Sequence, residues 1–405
     1  MSQNSVSAPL EGIRVVDYSH FLAGPYVGRC LAGLGAEVIK VERPATGEAG
    51  RGYPYVREGV SGYFLQQNMG KKGLCLNMKD ARGKTLMTRL VESADVFIEN
   101  YRPGALARLG LGYDEVSALN PRLVYCSISA YGHTGPDSHR PGFGLIAEAK
   151  SGIMAMVGSP GEAPPLLRIA LGDMYTGSHA VSAICAALLG RVKSGRGQHI
   201  DLALYDCLMS MHEYAVQCYT LSDGREVPQQ TGHDLPTSTL YGVFTARDGH
   251  LAIAAQADEA WRALARHIGG DALAADARFA DMAARNANRL ELLPIVRAWT
   301  ATRPVAQILA ELDALDVPCA KVQDIAEVIN DPQIAARGML ITQQHPKLGT
   351  IRMPNLPFHF SGFDMDVPEC APSLGQHNRE IAADLGFAPH EIDAMQRDGV
   401  LHSEN

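Results

Sequence analysis

The sequence lacks the short motifs that most directly announce a chemistry. It holds no G-x-G-x-x-G, so the close backbone approach to a pyrophosphate in a dinucleotide site is missing. Glu42 ends a strand as a ribose-binding acid would, but alone. No H-E-x-x-H or H-x-x-x-H occurs among the 14 histidines, so a metal site is not expected. No G-x-S-x-G elbow occurs either, and Ser178 sits in a helical pattern without the strand-to-helix turn a nucleophilic serine needs. None of the eight cysteines forms a C-x-x-C pair, and they read as scattered core thiols of a reducing compartment. Long apolar runs are missing too: Ala180–Gly190 falls well short of the roughly 20 residues of a membrane span. Met1–Pro9 has no basic stretch followed by an apolar run, so no leader and a cytoplasmic location are expected. Positive charge is in deficit, 36 Lys and Arg against 44 Asp and Glu. Such a surface repels phosphate backbones and anionic lipid, which argues against nucleic-acid or membrane partners.

What remains is an ordinary globular composition. Of the 405 residues, 46% are hydrophobic and 20% charged, which excludes a disordered or fibrous chain. Strands alternate with helices through the first half. Gly12–Ser19, Ala36–Glu42, Gly73–Asn77, Asp95–Glu99, Leu123–Ser129 and His199–Leu204 read as short buried strands. Pro25–Leu34, Arg82–Val91, Asp114–Leu119, Asp173–Arg191 and Tyr205–Leu221 read as helices between or after them. This alternation predicts βαβ units and a parallel sheet. The division expected is 1–223 for a large α/β domain, 224–236 for a linker and 237–316 for a small α+β domain. Residues 317–372 form a second linker, and helices in 373–405 return to the large domain. An Asp248-Gly249 turn marks a hairpin in the small domain, and Glu259–Ile268, Arg289–Thr300 and Pro304–Leu315 read as its helices.

Two features carry candidate chemistry. Asp173 follows a glycine and opens the longest helix. One reading is an N-cap carboxylate. The other is a nucleophile at a helix N-terminus, whose N–H groups stabilise an oxyanion. A carboxylate is a weak nucleophile and needs an activated acyl group, such as a thioester, held close in a dry site. The second feature is a basic set, Arg43, Lys71, Lys72, Lys79, Arg102 and Arg108. Several of these stand at strand ends, where α/β sheets bind ligands. The set is either a polyphosphate site or a solvated charge run.

Several segments taken together resemble the class III CoA-transferases, the formyl-CoA and carnitine transferase type. They are "GIRVVDYSHFLAGPYVGRCLAGLGAEVIKVERP", "ENYRPGALARLGL", "NPRLVYCSISAYG", "ALGDMYTGSHA" and "GRGQHIDLALYD", in that order. The similarity runs over essentially the whole chain. It implies a doubly wound, Rossmann-like large domain with a smaller α+β domain, and two chains threaded as an interlocked homodimer.

The resemblance implies roles as well. The family's nucleophile falls on Asp173. Its CoA contacts fall on Arg43, Leu76, Lys79, Asn100, Tyr101 and Arg108, with Phe21, Leu22 and Ala23 beside the thioester. No tightly bound cofactor is implied; CoA enters as part of the substrate. The expected reaction moves CoA from an acyl-CoA to a small carboxylic acid, with succinyl-CoA and a dicarboxylate as the expected pair. Two departures stand out. Thr231–Gly242 lacks the glycine run of the formyl-CoA members. The related racemases carry an imidazole in a Gly-His-Asp segment, and this chain reads Gly142-Phe143-Gly144 there. A racemase would thus lose its base. The alternatives are an acyl-CoA isomerase or racemase on this scaffold and a non-catalytic CoA-binding protein.

Overall fold

A computed structural model describes residues 8–365 and 368–404; most of the Met1–Pro9 stretch lies outside them. The chain divides into two compact units. Within the described residues one takes in the chain up to Ile153, Leu167–Glu213 and the chain from Gln333 on; the other takes in Met154–Leu166 and Tyr214–Pro332.

The larger unit opens with Arg14–Tyr18 (β1), Ala23–Gly33 (α1) and Glu37–Glu42 (β2). A short ribbon, Val56–Arg57 (β3) and Val60–Ser61 (β4), leads into Gly62–Asn68 (α2). There follow Lys72–Cys75 (β5), Ala81–Ser93 (α3), Val96–Glu99 (β6), Tyr113–Leu119 (α4) and Val124–Ser129 (β7). Gly144–Lys150 (α5), Leu171–Ser194 (α6), His199–Ala203 (β8) and Leu204–Ser210 (α7) complete this part. The sheet order is β5-β2-β1-β6-β7-β8, with every neighbouring pair parallel. The order reverses between β1 and β6. In open parallel sheets the crevice at the carboxyl ends beside such a reversal is where ligands bind.

Alternation along the strands builds two apolar layers. Val15 faces Val27 and Leu31 of α1 and Ile184 and Leu188 of α6. Its neighbour Val16 faces the opposite side, with Leu86 and Leu90 of α3. Each such side chain contributes roughly 1.5–3 kcal/mol by leaving water. Gly195, at φ 71°, ends α6 in the left-handed conformation that favours glycine.

The smaller unit holds Ala215–Leu221 (α8), the hairpin Tyr241–Ala246 (β9) and Gly249–Ala254 (β10), and Asp258–Ala274 (α9). Met282–Ala287 (α10), Arg289–Ala301 (α11), Val305–Asp313 (α12), Cys319–Lys321 (β11) and Ile325–Val328 (α13) follow. The antiparallel sheet β11-β10-β9 packs its Phe244 and Leu251 on Trp261, Phe279 and Leu292. Beyond Pro332–Ala336 (α14), the strands Leu340–His345 (β12) and Gly349–Pro354 (β13) pair with each other. Asn378–Asp384 (α15) and Pro389–Arg397 (α16) close the chain against the outer face of the large sheet. The Asn378 side chain accepts from the Cys75 N–H at 2.8 Å, and the Asn77 N–H donates to Val400 at 2.8 Å. These bonds cover the β5 edge, which would otherwise offer open backbone groups.

Two helices differ from expectation. Tyr205–Leu221 is not continuous but breaks into α7 and α8 at the passage between the units. There the His212 ring bonds the Ser151 carbonyl at 2.8 Å, and this tertiary contact overrides helix propensity. The helix expected at Glu259–Ile268 runs on to Ala274, interrupted by Gly270 at φ 68°.

Candidate active site

The loop after β1 is held on every side. Asp17, Lys40 and the Lys71 side chain are fully buried behind it. Lys71 Nζ donates to Asp17 Oδ2 at 2.6 Å, to the Pro25 carbonyl at 2.8 Å and to Asn68 at 2.9 Å. Lys40 Nζ donates to the Ser19 carbonyl at 2.6 Å. The Ser19 N–H and hydroxyl both donate to Asp17 Oδ1. Burial alone would raise the Asp17 carboxyl. The charges of Lys40 and Lys71, and the bonds from Lys71 and Ser19, outweigh it and hold Asp17 well below the usual range. Lys71 is pushed down to about 8 by burial, partly opposed by Asp17.

Further along the loop, Asn100 clamps His20. It accepts from the His20 N–H at 2.8 Å and donates to its carbonyl at 2.7 Å. The Phe21 N–H donates to Glu48 Oε2 at 2.9 Å. Phe21 itself takes φ 62°, a conformation a bulky residue adopts only when its surroundings impose it.

This loop and the one after β6 enclose a cavity of about 340 Å³ at the sheet reversal. Its lining includes Phe21, Ala23, Asn100, Tyr101, Arg108 and Asp173, six of the ten residues implied for the site. Arg43 lines a neighbouring cavity of about 360 Å³, which shares His20, Phe21 and Tyr101 with the first. Leu22 is buried behind the loop, and Leu76 is buried under the C-terminal segment opposite Leu401. Lys79 is exposed and lines neither cavity. Two other members of the basic set are engaged elsewhere. Lys71 holds Asp17, and Lys72 pairs with Glu37 and Glu380 at 2.7 and 2.6 Å. Arg51 is engaged as well, in a forked pair with Glu42.

Asp173 is not the N-cap of α6. That position is Ala170, and Asp173 lies in the first turn. Its carboxylate accepts no hydrogen bond among the described residues and faces the cavity. Burial, and secondarily the charge of Glu148, push it up to about 6. The Gly172 N–H, in the first turn of α6, donates to Glu148 Oε1 at 3.1 Å. Gly144, the first residue of α5, stands against the Asp173 carboxylate.

Three further side chains lie near Asp173. The His20 ring packs edge-on against Tyr101 at 4.6 Å and Phe21 at 5.0 Å. Burial, then Lys40, lowers its pKa and keeps the ring neutral. The cavity therefore holds an imidazole after all, brought by the β1 loop rather than by the Gly142–Gly144 segment. Phe143 meets Phe21 edge-on at 6.2 Å. The Tyr63 phenol is raised by burial and by the charges of Asp173 and Glu48. His20 lay inside a quoted segment, but nothing local distinguishes it. Among the described residues no three His, Cys, Asp or Glu side chains gather as a metal would require.

Among the described residues, a carboxylate without a hydrogen-bond partner, a small cavity and arginines without ion pairs thus gather at the sheet reversal. Comparisons with known proteins make the class specific. The profile of CoA-transferase family III matches residues 10–378, and the chain belongs to that family of CoA-transferring enzymes. It is 35% identical over 404 residues to the succinyl-CoA–D-citramalate CoA-transferase of Chloroflexus aurantiacus, covering 99% of this chain and 100% of that one. It is 37% identical over 360 residues to the acetyl-CoA:oxalate CoA-transferase of Acetobacter aceti, covering 88% and 90%. A crystal structure of a CAIB/BAIF family protein from Brucella suis matches with TM-score 0.83 at 37% identity, covering 93% of this chain and 99% of that one.

Proposed function

We propose that the enzyme transfers CoA from succinyl-CoA to a small dicarboxylic acid, with Asp173 as nucleophile. The observation that carries this reading is the Asp173 carboxylate, without a hydrogen-bond partner, at the wall of the cavity. Partial desolvation makes it a better nucleophile than a hydrated aspartate. Asp173 attacks the thioester carbonyl and releases CoA thiolate, leaving a mixed anhydride. The thiolate attacks the aspartyl carbonyl, giving an enzyme-bound CoA thioester and free succinate. The acceptor carboxylate then attacks this thioester and releases thiolate, which attacks the acceptor acyl group of the new anhydride and regenerates Asp173. Each step exchanges activated acyl groups, so no step needs an outside source of energy.

Arg43, Arg102 and Arg108 meet the anionic carrier, and Phe21, Ala23, Asn100 and Tyr101 frame its thioester end. The dicarboxylate acceptor is supported by relatives named for citramalate, glutarate and oxalate. A cytoplasmic homodimer is part of the reading. Leu189 and Val192 stand 70% and 81% exposed on α6, an apolar face that suits a second copy.

The test is chemical trapping. Enzyme incubated with succinyl-CoA is treated with hydroxylamine or borohydride and mapped by mass spectrometry. Modification at Asp173 is expected. An unmodified Asp173, or full activity in Asp173→Ala, overturns the mechanism. A panel of acids screened for new CoA esters identifies the acceptor.

His20 supplies an imidazole that an isomerase would use as a base. Substrate α-proton exchange with deuterated water, without any acceptor acid, distinguishes that reading; none is expected.

A further inference from the structure

The cavity that Arg43 lines contains a buried carboxylate with only one of its two oxygens engaged. Glu48 is only 8% exposed and forms part of the wall. Its Oε2 accepts from the Phe21 and Gly50 N–H groups, both at 2.9 Å. Its Oε1 is buried and has no hydrogen-bond partner. Buried polar atoms are nearly always paired, and an unmade bond to a charged oxygen is costly. Loop support is already accounted for by Oε2, so Oε1 stands apart from it.

The chemistry of Oε1 selects its partner. Phosphates and carboxylates present only acceptors, and this oxygen repels them. It calls for an N–H or O–H donor. Its position narrows the choice. Glu48 bonds Phe21, and Phe21 packs on Phe143 in the wall that holds Asp173. Both cavities share His20, Phe21 and Tyr101. A ligand that runs from Asp173 past these residues enters the cavity whose wall includes Glu48. In a CoA thioester that stretch is the pantetheine arm. It carries two amide N–H groups and one hydroxyl before the first phosphate.

We propose that Glu48 Oε1 accepts a hydrogen bond from an N–H or O–H of the pantetheine arm, making Glu48 a specificity residue for the carrier. This rests on the CoA-transferase reading. It predicts that the enzyme recognises the arm by a donor as well as the nucleotide by its charge.

The experiment measures calorimetric affinities of the wild-type enzyme and Glu48→Gln for CoA and three CoA analogues. Two analogues replace one amide N–H with a methylene, and one lacks the pantoyl hydroxyl. The glutamine keeps an oxygen for Phe21 and Gly50. Wild-type enzyme is expected to lose about 10- to 100-fold in affinity for one analogue. Glu48→Gln is expected to bind that analogue and CoA alike. Equal wild-type affinity for all four ligands overturns the proposal, as does an analogue loss that persists in Glu48→Gln. The wild-type arm is independent of how the variant folds. Succinyl-CoA turnover by the wild-type enzyme, measured separately, tests the functional reading itself. CoA binding without turnover sinks that reading and leaves the Glu48 contact testable, whereas no CoA binding overturns both.

Discussion

Gly144 stands so close to Asp173 that a β-carbon added to it overlaps the carboxylate Oδ2. The glycine is there for space, since its backbone needs no left-handed angle. Gly144→Ala is therefore expected to displace the proposed nucleophile while leaving the fold intact. A displacement of that order costs roughly 100-fold in kcat. Unchanged kcat in a correctly folded variant refutes the contact.

As the proposed nucleophile, Asp173 must be ionised to attack. Burial and Glu148 push it up to about 6, so kcat/KM should rise with pH through about 6 and then level. Glu148→Gln removes the nearby charge and keeps an oxygen for the Gly172 N–H. The acidic limb should then move to lower pH. A pH–rate profile with no shift separates the two carboxylates.

The same shift has a thermodynamic sign. The folded pKa of Asp173 lies above its ordinary value of 3.8, so the ionised form destabilises the fold above about pH 6. Below the ordinary value that cost is absent. Asp173→Asn is expected to gain roughly 1–3 kcal/mol at pH 7.5 and to lose the gain as the pH falls toward 4. Urea unfolding at several pH values measures it. A stabilised but inactive variant is the expected outcome.

Asp17 behaves in the opposite sense. Lys40 and Lys71 lower its folded pKa, so it contributes stability above the ordinary carboxylate range, and acid removes it. Lys71→Met leaves that carboxylate buried with a single lysine and should cost roughly 3–5 kcal/mol. Asp17→Asn in the same chain should recover part of the loss. Denaturant melts of the single and double variants give the coupling.

Arg43 and Arg108 face the cavities without ion-pair partners among the described residues. Arg43→Ala and Arg108→Ala are each expected to raise KM for the acyl-CoA by about tenfold or more, with kcat little changed. Added salt should weaken binding less in each variant than in the native enzyme. A loss confined to kcat contradicts a carrier-binding role.

The parallel strands were legible because each is a short apolar run closed by a turn, as in "AEVIKVE" before Arg43. The breaks were not. Nothing in Tyr205–Leu221 signals that His212 will reach Ser151 and split the helix. For the site, the segments resembling known CoA-transferases pointed to Asp173 and the loops around it. Lys71 belongs neither to a polyphosphate site nor to a solvated run, and its burial was not legible, because a lysine beside a strand looks alike whether it meets solvent or a buried aspartate. His20 and Glu48 reach the cavities through loops, and Tyr63 comes within the field of Asp173 on a short helix. Their proximity to Asp173 is tertiary and leaves no periodic trace.

The seal on the β5 edge also bears on the order of assembly. Cys75 waits for Asn378, 303 residues later, before its N–H finds a partner. During synthesis the nascent sheet keeps an open edge while the whole smaller unit emerges from the ribosome. For that interval the unit that carries Asp173 offers a template for mispairing. Its maturation therefore waits on a segment made 303 residues later, a vulnerability that a slowed ribosome would expose.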